Sequence, residues 1–67
     1  MDFKTFLKEF LTEKQLSQEE FAKSIKTSQG TVSKWLSGAQ DPSYTHLRNI
    51  CIEYGIDANC LLGLIEY

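Results

Sequence analysis

Few side chains in this sequence are spaced for catalysis or metal binding. His46 has no second histidine, cysteine or carboxylate at ligand spacing, although a metal site needs several such ligands. Cys51 and Cys60 form no CxxC motif, and the acidic residues show no pair suited to general acid and base catalysis. The sequence therefore predicts no catalytic site, no metal site and no cofactor, and it places His46 at the protein surface.

Length and composition fit one small domain. The chain has 67 residues, of which 42% are hydrophobic and 24% are charged, so we expect a single domain over residues 1–67. No apolar run is long enough to cross a bilayer, and the first residues lack the apolar segment of a signal peptide. Cys51 and Cys60 lie among apolar neighbours, where reduced thiols behave as small hydrophobes. These features predict a cytoplasmic protein without a disulfide framework or a membrane segment.

The net charge of −2 hides an uneven distribution of charge along the chain. Residues 1–22 and residues 49–67 are acidic, whereas residues 23–48 are basic. The bases of this middle segment are Lys23, Lys26, Lys34 and Arg48, and its one acid is Asp41. Local charge governs contact with a polyanion more than the total charge does. On charge alone, however, these scattered bases also fit an ordinary solvated surface.

Helix signals cover the chain, and no strand pattern competes with them. The first helix begins after Asp2 and ends near Lys14, and its apolar residues follow a helical stripe of Phe3, Phe6, Leu7, Phe10 and Leu11. Polar caps mark the starts of four more helices, and they are Ser17, Ser28, Ser43 and Asp57. Glu20 completes a capping box with Ser17, so the second helix begins at Gln18. The sequence thus predicts an all-α fold of five short helices.

The later helices also have predicted ends and inner faces. The third helix runs from Gln29 to about Ser37, Gly38 and Gly55 end the third and fourth helices, and the fifth helix extends through Leu62. The inward positions of the second, third and fourth helices are Phe21, Ala22, Ile25, Val32, Trp35, Leu36, Tyr44, Leu47, Ile50, Cys51 and Tyr54.

The second and third helices are separated by about three residues. Ala22 on the second helix is small, whereas Val32 and Trp35 on the third are bulky. Helices that cross steeply need a small side chain at the crossing and bulky side chains facing the core. This pattern predicts a helix-turn-helix over residues 18–37.

The segment LSQEEFAKSIKTSQGTVSKWLSG, from Leu16 to Gly38, resembles the helix-turn-helix of the Xre family, which includes the lambdoid phage Cro and repressor DNA-binding domains. The resemblance continues through Pro42 and the fourth helix to GIDANCLLG, and it covers nearly the whole chain. It implies a compact five-helix domain of the lambda-repressor type that binds double-stranded DNA sequence-specifically. It also implies a transcriptional regulator, more specifically a repressor, associated with the nucleoid of a bacterial or phage-infected cell.

The resemblance assigns DNA contacts to individual residues. Family members read bases from the start of the third helix, which implies base contacts by Gln29, Gly30, Ser33 and Lys34. A helical wheel turns Gly30, Ser33 and Lys34 away from Val32 and Trp35 and places Gln29 on the flank. A glutamine can bridge adenine, and a lysine can reach the guanine edge. The implied phosphate contacts are made by Gln18, Lys26, Ser28 and Thr31.

A homodimer is the second implication of the resemblance. Related domains dimerise through the C-terminal end, which here implies an interface of Leu61, Leu62, Leu64 and Ile65. Such a dimer presents two recognition helices to a palindromic operator. A tail that packs back on its own domain is the alternative.

The sequence departs from the family pattern at several positions. Lys26 stands where the family usually has a glycine with positive φ, and Gly30 either allows close approach to DNA or contributes no readout. The loop residues Ala39, Gln40 and Asp41 include no basic residue, although relatives often carry basic residues there that contact phosphates.

Two leucines stand where many relatives have an ion pair. Those relatives carry an arginine at the position of Leu11 and a glutamate at the position of Leu36. We expect these two leucines to contact each other, because replacing both charges with apolar residues is often neutral or stabilising.

Two interpretations remain open at this point. The first is a DNA-binding repressor, either a complete Cro-like protein or the DNA-binding part of a longer one. The second is a protein-interaction module of the same fold, such as an antitoxin or anti-repressor partner with weak or no DNA binding. The net charge, Gly30 and the base-free loop favour the second interpretation.

Overall fold

Four helices follow one another over residues 2–57, the part of the chain that this computed structural model describes. They are α1 Phe3–Lys14, α2 Gln18–Ser24, α3 Gln29–Ser37 and α4 Tyr44–Tyr54. The all-α prediction is confirmed over these residues, as are the predicted bounds of α1 and α3 and the predicted start of α2. The fifth helix expected through Leu62 lies outside the described residues, and residues 2–57 contain the other four predicted helices.

The helix starts are fixed by side chains that accept hydrogen bonds from free backbone N–H groups. Asp2 Oδ1 accepts from the Thr5 N–H at 2.9 Å. Ser17 Oγ accepts from the Glu20 N–H at 3.0 Å, while Glu20 Oε1 accepts from the Ser17 N–H at 2.9 Å, which confirms the capping box. The backbone hydrogen bond from Thr5 lowers the pKa of Asp2, and that from Ser17 lowers the pKa of Glu20, because each bond favours the ionised carboxylate.

One apolar core receives residues from all four helices. Its buried members are Phe3, Leu7, Phe10, Leu11, Phe21, Ala22, Ile25, Val32, Trp35, Leu47 and Ile50. Leu36, Cys51 and Tyr54 are half-buried against this core. The predicted inward position of Tyr44 is wrong, because its side chain is 68% exposed. Tyr44 is the first residue of α4, and a helical side chain leans toward the N-terminus, so it extends past the end of the core.

The prediction of a surface position for His46 is also incorrect. The ring is half-buried and meets Trp35 edge-on, with 5.1 Å between the ring centroids. Its Nδ1 lies 2.9 Å from the Oγ of Ser43, the N-cap of α4. His46 therefore joins the start of α4 to the large aromatic residue of α3.

Tyr54 fixes the other end of α4 against α2. Its ring stacks on Phe21 at 5.6 Å and meets Phe10 edge-on at 5.1 Å. The phenol oxygen is also hydrogen-bonded to Ser24 Oγ, close to the end of α2. Helices α1 and α4 thus hold α2 in place for the turn that follows it.

Candidate nucleic-acid interface

The turn between α2 and α3 is held by backbone and side-chain hydrogen bonds. The Thr27 N–H donates to the Ala22 carbonyl at 2.9 Å. Asn49 on α4 donates through Nδ2 to the Ile25 carbonyl at 3.4 Å. Ala22 is only 2% exposed, which confirms a small buried side chain on α2, the helix that packs against α3. These contacts hold α2 and α3 in the helix-turn-helix arrangement.

Lys26 has a left-handed backbone conformation in this turn, with φ 63°. This confirms the expectation that a lysine occupies the conformation for which the family uses glycine. Lys26 and Gln15 are the non-glycine residues with positive φ within residues 2–57. A side chain in this conformation costs roughly 1 kcal/mol.

Replacing Lys26 with glycine should raise the free energy of unfolding by about 0.5 to 1 kcal/mol, because glycine tolerates positive φ. Lys26→Ala is the matched control, since it removes the charge and keeps the backbone strain. Urea denaturation of the three proteins measures the difference. Equal stability of Lys26→Gly and Lys26→Ala would show that the turn stores no strain.

The four candidate base-reading residues lie on the exposed surface of α3, three of them on the outer face and Gln29 on its flank. Gln29, Gly30, Ser33 and Lys34 are all exposed. Val32 and Trp35, on the opposite face, are 0% and 1% exposed. The predicted division of α3 into an inner and an outer face is confirmed, whereas base reading by the outer face stays a prediction.

A hydrogen bond joins two candidate DNA-contacting residues at the starts of α2 and α3. Gln29 Nε2 donates to Gln18 Oε1 at 2.7 Å. Ser17 and Glu19 line the same shallow depression as these two glutamines. The Nε2 amide carries two hydrogens, so Gln29 keeps one N–H and its Oε1 for a ligand. Sequence reasoning missed this bond, because its only signal was a glutamine at the first position of both helices.

Ser28 and Thr31 form the cap of α3. Ser28 Oγ lies 2.9 Å from Thr31 Oγ1 and accepts from the Thr31 N–H at 3.2 Å. As at any helix start, the N–H groups of Gln29 and Gly30 have no acceptor within the helix itself. These groups stand at the positive end of the α3 dipole, where an anion is stabilised.

Charged groups near this surface have both signs. Lys26 and Lys34 are exposed, and so is Glu19 at the depression. The loop residue Asp41 is exposed too, as expected for a loop without a base. Lys4, however, extends from α1 toward the end of α3, where its Nζ lies 3.7 Å from the position that a Cβ on Gly38 would occupy. Sequence reasoning missed this cation, because the fold and not the chain order brings it to the loop.

Within residues 2–57, no group of three or more histidine, cysteine, aspartate and glutamate side chains is placed to hold a metal ion. None of the four described helices has the length and apolar character needed to cross a membrane.

The sequence matches a known protein family. The helix-turn-helix family model matches residues 7–59. The chain therefore belongs to the Xre/Cro-like helix-turn-helix family, whose members are DNA-binding regulators and not enzymes. Comparison with curated proteins and with solved structures gave no match.

Proposed function

We propose that this protein is a sequence-specific DNA-binding repressor that reads the major groove with α3 as a homodimer. The observation that carries the proposal is the exposed polar face of α3, with Gln29 held in place by Gln18. A glutamine that is already oriented loses less side-chain freedom when it binds, and this favours affinity. A major groove is wide enough to admit such a helix.

Base reading follows from the donors and acceptors that α3 presents. The free N–H and Oε1 of Gln29 match N7 and N6 of adenine. Lys34 can donate to O6 and N7 of guanine, and the Ser33 hydroxyl can serve as donor or acceptor for several base edges. These side chains provide the sequence preference.

Phosphate contacts orient the helix and add affinity that does not depend on sequence. Gln18, Ser28 and Thr31 offer neutral donors, and Lys26 adds a positive charge. Each protein cation that neutralises a phosphate makes binding more salt-dependent. With so few cations, affinity falls less steeply with salt than in a strongly basic relative.

The dimer is proposed from the apolar residues Leu61, Leu62, Leu64 and Ile65, which lie outside the described residues. Two copies related by a two-fold axis would place their recognition helices about 34 Å apart, one turn of DNA. The operator is then palindromic, with the two half-sites separated by that distance.

Selection from a random duplex library tests this proposal. The protein should enrich one palindromic motif, and sedimentation of the complex should give two chains per duplex. A one-to-one complex on every enriched duplex would rule out the dimer, and the absence of any enriched motif would rule out sequence-specific binding.

A second function has its own support. Glu19 in the depression, the exposed Asp41 and the net charge of −2 all oppose binding to a polyanion. They favour a protein-interaction module, such as an antitoxin or anti-repressor partner, that keeps the fold and has lost DNA binding.

A further inference from the structure

The fold gives no reason for a glycine at position 30. Gly30 is the second residue of α3 and is exposed. A Cβ built there would have Ser28 Oγ as its nearest neighbour, at 4.0 Å, which is ordinary contact. By contrast, Gly38 and Gly55 have φ values of 83° and 65°, in the region that favours glycine. Since glycine is a poor helix former, Gly30 weakens α3 without helping the free protein.

The neighbouring side chains leave the backbone at Gly30 uncovered. The Gln29 amide is turned to Gln18, and the Ser28 hydroxyl is engaged with Thr31. Ser33, one turn further along α3, is short and exposed. The first turn of α3 thus presents bare backbone, flanked by groups that are already hydrogen-bonded.

We infer that Gly30 sets how closely α3 lies against the base edges of the groove. This inference rests on the proposed function and adds a specificity-determining residue to it. A side chain at position 30 stands between the helix and the DNA and holds the backbone away. The Ser33 hydroxyl is then the first group of α3 that can no longer contact the base edges, because serine has one of the shortest polar side chains. Gly30 therefore acts through Ser33 and is a positioning residue.

The variants Gly30→Ala and Gly30→Leu test the inference. Both should melt higher than the wild type, by about 4 °C, because alanine and leucine favour the helix. Both should bind the duplex enriched by the wild type more weakly, by roughly tenfold for alanine and further for leucine. Gly55→Ala is the matched control, since it adds the same methyl group at a positive φ and should lower the melting temperature while keeping the affinity of the folded protein.

A double variant shows whether a side chain at position 30 weakens binding by removing the Ser33 contact or only by clashing with the DNA. Ser33→Ala should weaken binding in the wild type and have no further effect in the Gly30→Leu background. Unchanged affinity in both Gly30 variants, a lower melting temperature in Gly30→Ala, or an undiminished Ser33→Ala effect would each overturn the inference. A wild-type protein that enriches no duplex would refute the proposed function itself, and the inference with it, before any variant is compared.

Discussion

Replacing Leu36 with glutamate is expected to lower the free energy of unfolding by about 1 to 3 kcal/mol. Leu36 is half-buried against the core, and α3 packs against α1. A glutamate at position 36 loses part of its hydration. Leu11 of α1 stands where many relatives carry an arginine, so no positive charge is present there to pair with the glutamate. Denaturation in urea at neutral pH measures the loss.

Adding Leu11→Arg to Leu36→Glu should recover about 1 kcal/mol of that loss. The expected contact between Leu11 and Leu36 stays a prediction, although Leu11 is only 8% exposed and Leu36 packs on the same core. Leu36→Gln is the matched control, because it is polar without charge and should gain nothing from Leu11→Arg. A double variant no more stable than the worse single variant would contradict the exchange of an ion pair for an apolar pair.

Truncating Gln29 or Lys34 to alanine is expected to weaken binding to the preferred duplex by about 1 to 3 kcal/mol and to relax its choice at one base pair. Gln18→Ala should weaken binding to all duplexes through the loss of its proposed phosphate contact, and it should also relax the choice at the base pair read by Gln29, because Gln18 orients that side chain. The hydrogen bond between Gln29 and Gln18 makes their effects non-additive, since either change leaves the other amide without its partner.

Fluorescence anisotropy with matched and single-substituted duplexes measures these losses. Lys8→Ala is the control for Lys34→Ala, because it removes the same charge from an exposed position on α1. Gln29→Ala and Lys34→Ala proteins with full affinity and selectivity would show that α3 is not the recognition helix.

Local signals predicted most of the backbone. Ser17, Ser28 and Ser43 each cap a helix through a bond within a few residues, so their spacing in the sequence determines the helix starts. The family pattern likewise located the left-handed turn, although Lys26 replaces its usual glycine. These features depend on neighbours in the chain, which a sequence shows directly.

The errors and omissions concern contacts between helices. The apolar stripe of α4 includes Tyr44, yet the core ends before the side chain of a first helical residue. The half-buried position of His46 depends on Trp35 of another helix, and the approach of Lys4 to Gly38 depends on how α1 crosses α3. The bond between Gln18 and Gln29 also joins two helices, so periodicity within one helix does not reveal it.

The salt dependence of DNA binding tests the central claim most directly. The duplex enriched by the wild type is titrated with the protein at several salt concentrations from 50 to about 200 mM, over which counterion release weakens binding. We predict binding at low salt and a linear fall of log K with log salt, with a slope of about −2 when the Lys26 side chains of the two protomers neutralise phosphates and about −4 when the two Lys34 side chains also do so. No binding at the lowest salt, or affinity independent of salt, would contradict DNA recognition by α3 and favour the protein-interaction module.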